Sequence, residues 1–248
     1  QGPLYAHVTG HYSFLFGGSG LEQTYSSQLA GVSDSQFLQR LVDAASGSRP
    51  KGASLETTLD ARAQRAAAEG LGNRPGAVVA LDYTTGEDKA LVSTPSYDPN
   101  LLASHDLAAT QTAWTELGED PDQPLRNRAA REIFPPGSTF KLVVSAAALD
   151  AGMGADVQLD APDSITLPGS TAVLGNAGSC GGTRITLAQA LRVSCNTAFA
   201  NLGALLGDDA LREQARRFGF GATQLPELNG VASRFPANPD AAQTMMSS

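Results

Sequence analysis

Cysteine occurs twice and histidine three times in this chain of 248 residues, as Cys180, Cys195, His7, His11 and His105. A disulfide-framed fold and a four-ligand Cys/His zinc site are therefore both unsupported. Basic residues are outnumbered, 17 Lys and Arg against 25 Asp and Glu for a net charge of −8. That balance leaves no basic footprint for a phosphate backbone, and no nucleic-acid partner is expected. No apolar run approaches the ~18 residues of a membrane span; the longest candidate is the short Leu142–Leu149 stretch. No signal peptide opens the chain, and a start at Gln1 is expected of a mature or trimmed exported product whose targeting or anchoring segment has been removed. Two cysteines read equally well as buried thiols or, in an exported protein, as one bridge. Cys195 follows Cys180 by 15 positions across a Gly-containing loop that can fold back, so a bridge is the expectation to test.

The 42% of hydrophobic residues suffices for a sizeable core in one or two domains. Residues 1–52 are Gly- and Ser-rich, with a helix expected over Asp34 to Ala45, capped by Asp34 and apolar along Phe37, Leu38, Leu41 and Val42. Ser46 to Ala53 reads as a linker, and a domain boundary is placed there, giving segments 1–52 and 53–248. Asp60 caps a second helix that Gly72 closes. Gly76 to Leu81 and Ala90 to Thr94 are β-patterned around a turn at Thr84 to Asp88, a hairpin. Pro95 to Arg131 is long and polar apart from a helix around Trp114. Further helices are expected from Ser138 to Ala151, from Thr186, over Asn196 to Leu206, and over Asp208 to Phe218 before Gly219. The tail after Gly221 has no clear periodicity. The order of elements predicts a mixed α/β (α+β) fold.

Chemistry concentrates in two places. Pro135-Pro136-Gly137-Ser138-Thr139-Phe140-Lys141 sets a hydroxyl and an amine three residues apart at a helix start, on one face about a turn apart. Serine needs a neighbouring base, and a lysine can be one where burial or adjacent positive potential pulls its pKa down. Lysine is scarce: Lys51 and Lys89 sit in polar turns, while Lys141 interrupts an apolar run, and all remaining basic residues are arginine, which cannot be deprotonated. Taken alone, S-x-x-K is also compatible with a helix cap followed by a snorkelling lysine. The second place is Ser194-Cys195-Asn196, a hydroxyl and an amide at alternate positions in a break between helices; alone it reads as a plain N-cap.

Together they are two of three motifs shared by serine β-lactamases and penicillin-binding proteins, S-x-x-K and S-x-N. From Leu55 to Gly221 the sequence resembles the class B penicillin-binding proteins, and in particular their actinobacterial penicillin-binding protein A type. The resemblance runs through T-T-L-D-A-R-A-Q, G-A-V-V-A-L-D, S-Y-D-P-N, N-R-A, F-P-P-G-S-T-F-K, S-C-N-T-A-F and F-G-F-G. The G-S-G-L-E-Q-T-Y run is similar to the end of that family's non-catalytic pedestal domain. The resemblance implies a penicillin-binding transpeptidase/β-lactamase-like fold, a helical subdomain beside an antiparallel sheet, with residues 1–52 closing the pedestal. It also implies roles: Ser138 the acylated nucleophile, Lys141 its base, Ser194 the proton relay and Asn196 a ligand of the substrate amide, with Thr139 and Phe140 packing. The activity implied is peptidoglycan D,D-transpeptidation on stem peptides ending in D-Ala-D-Ala, blocked by β-lactam antibiotics, at the outer side of the cell membrane and with divisome proteins as partners. No metal or cofactor is implied. The third motif, K-T-G, occurs nowhere in the sequence, so the chain is expected to be a family member shortened on its C-terminal side. A catalytically incompetent β-lactam-binding sensor or divisome scaffold is the alternative.

Overall fold

The computed structural model describes residues 2–47 and 51–246. Contacts divide the chain into two compact units, Gln1–Glu132 with Gln224–Val231, and Ile133–Thr223 with Ala232–Ser248. This division falls at 132/133, whereas the sequence placed its domain boundary at the 46–53 linker, of which residues 48–50 lie outside the described residues.

In the first unit, Asp60 caps the helix Ala61–Leu71 by accepting the N–H groups of Arg62 and Ala63 at 2.8 and 2.9 Å. Gly72 ends it at φ 59°, where a Cβ would be strained. The completely buried Gln64 fastens this helix to the hairpin: its amide donates to the Leu91 carbonyl and accepts the Leu91 N–H, both at 2.8 Å. The hairpin pairs Gly76–Leu81 with Asp88–Thr94 antiparallel, as two apolar runs around a turn predict, the second strand starting at Asp88 rather than Ala90. Leu91 joins Val8, Leu21, Ala130 and Leu228 in one small core. A helix spans Leu107–Glu119, capped by Asp106.

One expected helix differs. Asp34 lies inside a 3-10 turn, Asp34–Gln36, that leads into the α-helix Phe37–Ser46, and caps nothing. The face drawn from Phe37, Leu38, Leu41 and Val42 is exposed, from 52% to 75%. The amphipathic pattern is real, but no described residue buries it.

The second unit is built on two packed helices. Lys141–Asp150 lays Val143, Val144, Ala147 and Ala148 against Ala198, Phe199, Leu202 and Leu211 of the helix Asn196–Arg217. Burial of such apolar side chains stabilises the pair by roughly 1.5–3 kcal/mol for each large residue. Gly207, at φ 79°, breaks the second helix at the place where the sequence separates Asn196–Leu206 from Asp208–Phe218. Two short antiparallel ladders, Gln158–Asp160 with Arg184–Thr186 and Ser164–Thr166 with Val173–Gly175, went unseen in the sequence. Strands of three residues are too short to show a period of two. Among the described residues, strands pair only in twos.

Candidate active site

Pro135 and Pro136 forbid an incoming helix, and Gly137 turns the chain at φ 55°, a left-handed conformation that costs little without a Cβ. The next residues do not enter the α-helix directly, as the sequence suggested. Gly137–Phe140 forms a 3-10 turn, and the α-helix starts at Lys141. Three residues per turn eclipse positions i and i+3, which stacks Lys141 over Ser138 more closely than an α-turn would. Lys141 Nζ lies 3.3 Å from Ser138 Oγ. Phe140 is buried and stacks with Phe235, as a packing residue should. Thr139 does not pack: it is exposed, and its hydroxyl donates to the Pro136 carbonyl at 2.6 Å, closing the turn.

Ser194 arrives from the end of the helix Leu187–Val193, which Thr186 caps through the Gln189 N–H at 3.0 Å. Its φ/ψ of 56°/46° is left-handed, a conformation usually left to glycine at a helix C-terminus and costing a serine about 1 kcal/mol or more. The N–H groups of Ser194 and Cys195 close that helix on the carbonyls of Leu191 and Ala190. The same bend brings both the carbonyl and the hydroxyl of Ser194 to 3.0 Å from Lys141 Nζ. Ser194 Oγ is also 3.0 Å from Ser138 Oγ, so two hydroxyls and one amine form a closed triangle.

Asn196 completes the arrangement. Its Oδ1 accepts from Lys141 Nζ at 2.6 Å, and its Nδ2 donates to the Gly175 carbonyl at 2.9 Å. Between Ser194 and Asn196, Cys195 is bonded to Cys180 with a Cα separation of 5.5 Å, which resolves the open question about the two cysteines. All four sequence-nominated site residues therefore meet at one point.

Lys141 is 3% exposed, with its amine 5.6 Å from the centre of the Phe199 ring. Burial pushes its pKa below the ordinary lysine value of 10.5. A buried ammonium is disfavoured against the free amine, so the neutral form, whose lone pair can serve as a base, is more populated than in an exposed lysine. Ser138 and Lys141 open into a cavity of about 420 Å³, walled also by Phe220, Arg234, Phe235 and Met245. None of these wall residues was nominated from sequence. Phe220 carried a signal in F-G-F-G, but the 232–246 segment, with no periodicity, carried none. A hydroxyl, a buried amine and an amide at the edge of one cavity, with a second hydroxyl within hydrogen-bond reach of the first two, are the groups that acyl transfer to serine uses.

Residues 76–246 match the penicillin binding protein transpeptidase domain. The chain belongs to the penicillin-binding protein transpeptidase family. Residues 1–55 match the penicillin binding protein A dimerisation domain. The peptidoglycan D,D-transpeptidase PbpA of Mycolicibacterium smegmatis is 46% identical over 224 residues, 87% of this chain and 46% of that protein. The PbpA of Mycobacterium tuberculosis H37Rv is 45% identical over 254 residues, covering 99% of this chain and 52% of that protein. Solved structures of penicillin-binding protein A from M. tuberculosis, as ceftriaxone and penicillin G acyl-enzyme complexes, superpose at TM-score 0.93 and 43% identity. They cover 100% of this chain and 57% and 59% of theirs. The chain thus spans about half the length of the penicillin-binding proteins it matches, and its mixed helix-and-strand fold is theirs.

Proposed function

We propose that this chain is part of a peptidoglycan D,D-transpeptidase that works through an acyl-enzyme on Ser138. The observation that carries this reading is the triangle of Ser138 Oγ, Lys141 Nζ and Ser194 Oγ, with sides of 3.3, 3.0 and 3.0 Å. With Lys141 neutral, its two N–H bonds serve the Ser194 carbonyl and Asn196 Oδ1, and its lone pair faces the Ser138 hydroxyl. Ser138 Oγ then attacks the carbonyl carbon between the two D-alanines while its proton passes to Nζ. As the C–N bond breaks, Ser194 relays that proton to the departing D-alanine amine, leaving an ester on Ser138. An amine from a neighbouring strand attacks the ester, and the proton it loses returns to Ser138. Asn196 is assigned to the substrate amide.

A β-lactam follows the first half of this course, but its amine stays tethered after ring opening and blocks the acceptor. The acyl-enzyme complexes of the M. tuberculosis relative, and its name as a D,D-transpeptidase, support both substrate classes here. They favour turnover over the sensor or scaffold alternative. Within this reading, residues 1–52 close the pedestal domain and its linker, and 53–248 form the N-terminal portion of the transpeptidase domain without K-T-G. The protein works outside the cell membrane on a single N-terminal anchor, with divisome proteins as partners. No helix among the described residues is long and apolar enough to cross a membrane. The test is mass spectrometry after benzylpenicillin: one adduct on the Ser138 peptide is expected, and an adduct that persists in Ser138→Ala would refute the assignment. Release of D-alanine from a D-Ala-D-Ala peptide separates enzyme from sensor.

A further inference from the structure

The helix that starts at Asn196 has no cap of its own. Its N-cap residue is Cys195, whose sulfur is committed to Cys180 and makes no capping hydrogen bond. A helix start leaves N–H groups that need acceptors from elsewhere. One comes from Asn176, the residue after the strand Val173–Gly175: its Oδ1 accepts the Thr197 N–H at 3.0 Å. Its Nδ2 donates to Thr197 Oγ1 at 3.1 Å and to the Pro162 carbonyl at 3.2 Å. Thr197, completely buried, donates its hydroxyl hydrogen bond to the Pro162 carbonyl at 2.7 Å. A single amide therefore ties the end of one hairpin to the first turn of the helix that carries the site.

The neighbour of this clamp touches the chemistry. The carbonyl of Gly175 accepts from Asn196 Nδ2, and because an amide has one donor end and one acceptor end, this turns Asn196 Oδ1 toward Lys141. We propose that Asn176 is a positioning residue of the acyl-transfer site: by capping the Asn196–Arg217 helix it holds the Gly175 carbonyl against Asn196 and sets which end of that amide faces Lys141. The inference rests on the roles given above to Ser138 and Lys141. Without the clamp, Asn196 can present its NH₂ to Nζ, donor against donor. The ammonium then loses its shortest acceptor, and the amine is no longer aimed at Ser138.

The experiment measures acylation by fluorescent penicillin between pH 6 and 10, in the full-length protein that carries this chain. The parent is compared with Asn176→Ala, Asn176→Asp and Ser138→Ala. Misplacement of a catalytic group by an ångström can cost about 100-fold, so Asn176→Ala is expected to acylate about 10- to 100-fold more slowly. The limb along which its rate rises with pH should move to lower pH, since an ammonium without its acceptor is less stable. Asn176→Asp keeps the oxygen that caps Thr197 and should recover most of the rate. A lower Tm in Asn176→Ala with parental rate and parental pH limb would reduce Asn176 to a structural part and overturn the proposal, as would no change at all. If the alanine variant does not fold, Asn176→Ser, too short to bridge Thr197 and Pro162, is read in the same way. Labelling that survives in Ser138→Ala would sink the site assignment itself. Labelling lost there but unaltered in the Asn176 variants would sink only the positioning role.

Discussion

The hydroxyls of Ser138 and Ser194 stand 3.0 Å apart although 56 positions separate them in the chain. Each also lies within 3.3 Å of the Lys141 amine, so a proton leaving either one has two places to go. Ser194→Ala removes the relay and leaves Ser138 and Lys141 in place. General acid–base contributions are typically about 10²- to 10⁴-fold, and an acylation rate reduced by at least 100-fold is expected with Tm little changed. Stopped-flow acylation by benzylpenicillin decides it, and a parental rate would remove Ser194 from the mechanism.

Lys141 sets the pH dependence. Its pKa is lowered by burial, so the folded protein releases this proton below pH 10.5, where the unfolded chain still holds it. Acylation should rise with pH along a limb centred below 10.5 and level off once the amine is neutral. Over the same window the contribution of this group to stability also rises with pH, because the unfolded state binds more protons. Lys141→Arg keeps a charge that cannot be given up, and is expected to lose acylation at every pH. An active arginine variant would show that the residue is not the base.

The K-T-G motif is absent from this sequence; by family resemblance the oxyanion is held by the backbone N–H of Ser138 and by a second N–H from the K-T-G strand, which also forms one wall of the substrate groove. Losing one such donor costs about 100- to 1000-fold. Fluorescent-penicillin labelling of this 248-residue chain should be slower by at least that factor than labelling of a version extended through K-T-G, with Ser138→Ala as the blank in both. Equal Ser138-dependent rates would show the strand to be dispensable.

The Cys180–Cys195 bridge closes a loop of 15 positions around the middle residue of the S-x-N turn. A loop of that length restricts the unfolded chain by about 3 kcal/mol. Replacing both cysteines by serine also leaves hydroxyls at two buried positions, 6% and 1% exposed. A Tm lowered by several degrees is expected, and a matching drop for the parent in reductant. Identical melting with and without reductant would show that the bridge does not form in solution.

Two buried histidines give the first unit its own pH response. His11 Nδ1 lies 2.9 Å from the Tyr97 hydroxyl and 3.0 Å from Ser19 Oγ, and His7 Nε2 lies 3.3 Å from the Pro95 carbonyl. Burial lowers both pKa values below 6.5, and nearby Arg128 adds to the shift of His7. Below pH 6.5 the unfolded chain takes up protons that the folded one refuses, so stability falls as pH falls. Thermal melts from pH 7.5 to 5 should show this, and His11→Gln should flatten the slope.

Much of this molecule can be read from local chemistry. Asp60 and Gly72 bound a helix because capping and left-handed turns are properties of one or two residues. The hairpin follows from two apolar runs around a turn, and S-x-x-K from a stop at Pro135-Pro136 and a lysine where the chain otherwise uses arginine. Length and burial decided the failures. The three-residue ladders at 158–186 are too brief to leave a pattern, and the Phe37–Val42 face shows that a periodic stripe predicts a helix without predicting what covers it.

By itself, the sequence nominated Ser138 and Lys141 through side-chain chemistry and short spacing, and joined Ser194 and Asn196 to them through the resemblance of S-x-x-K and S-x-N to a known family. Only the tertiary structure decided that they lie within hydrogen-bond reach of one another. It swings Ser194 through a left-handed bend onto Lys141, bonds Cys195 back to Cys180, and pairs the Asn196 amide with a carbonyl 21 positions earlier in the chain. It also walls the cavity with Phe220, which F-G-F-G marks in the sequence, and with Arg234 and Phe235, whose positions leave no local trace. Those relations join residues separated by tens of positions, where no periodicity or propensity reaches, and the packing of two helices brings them together.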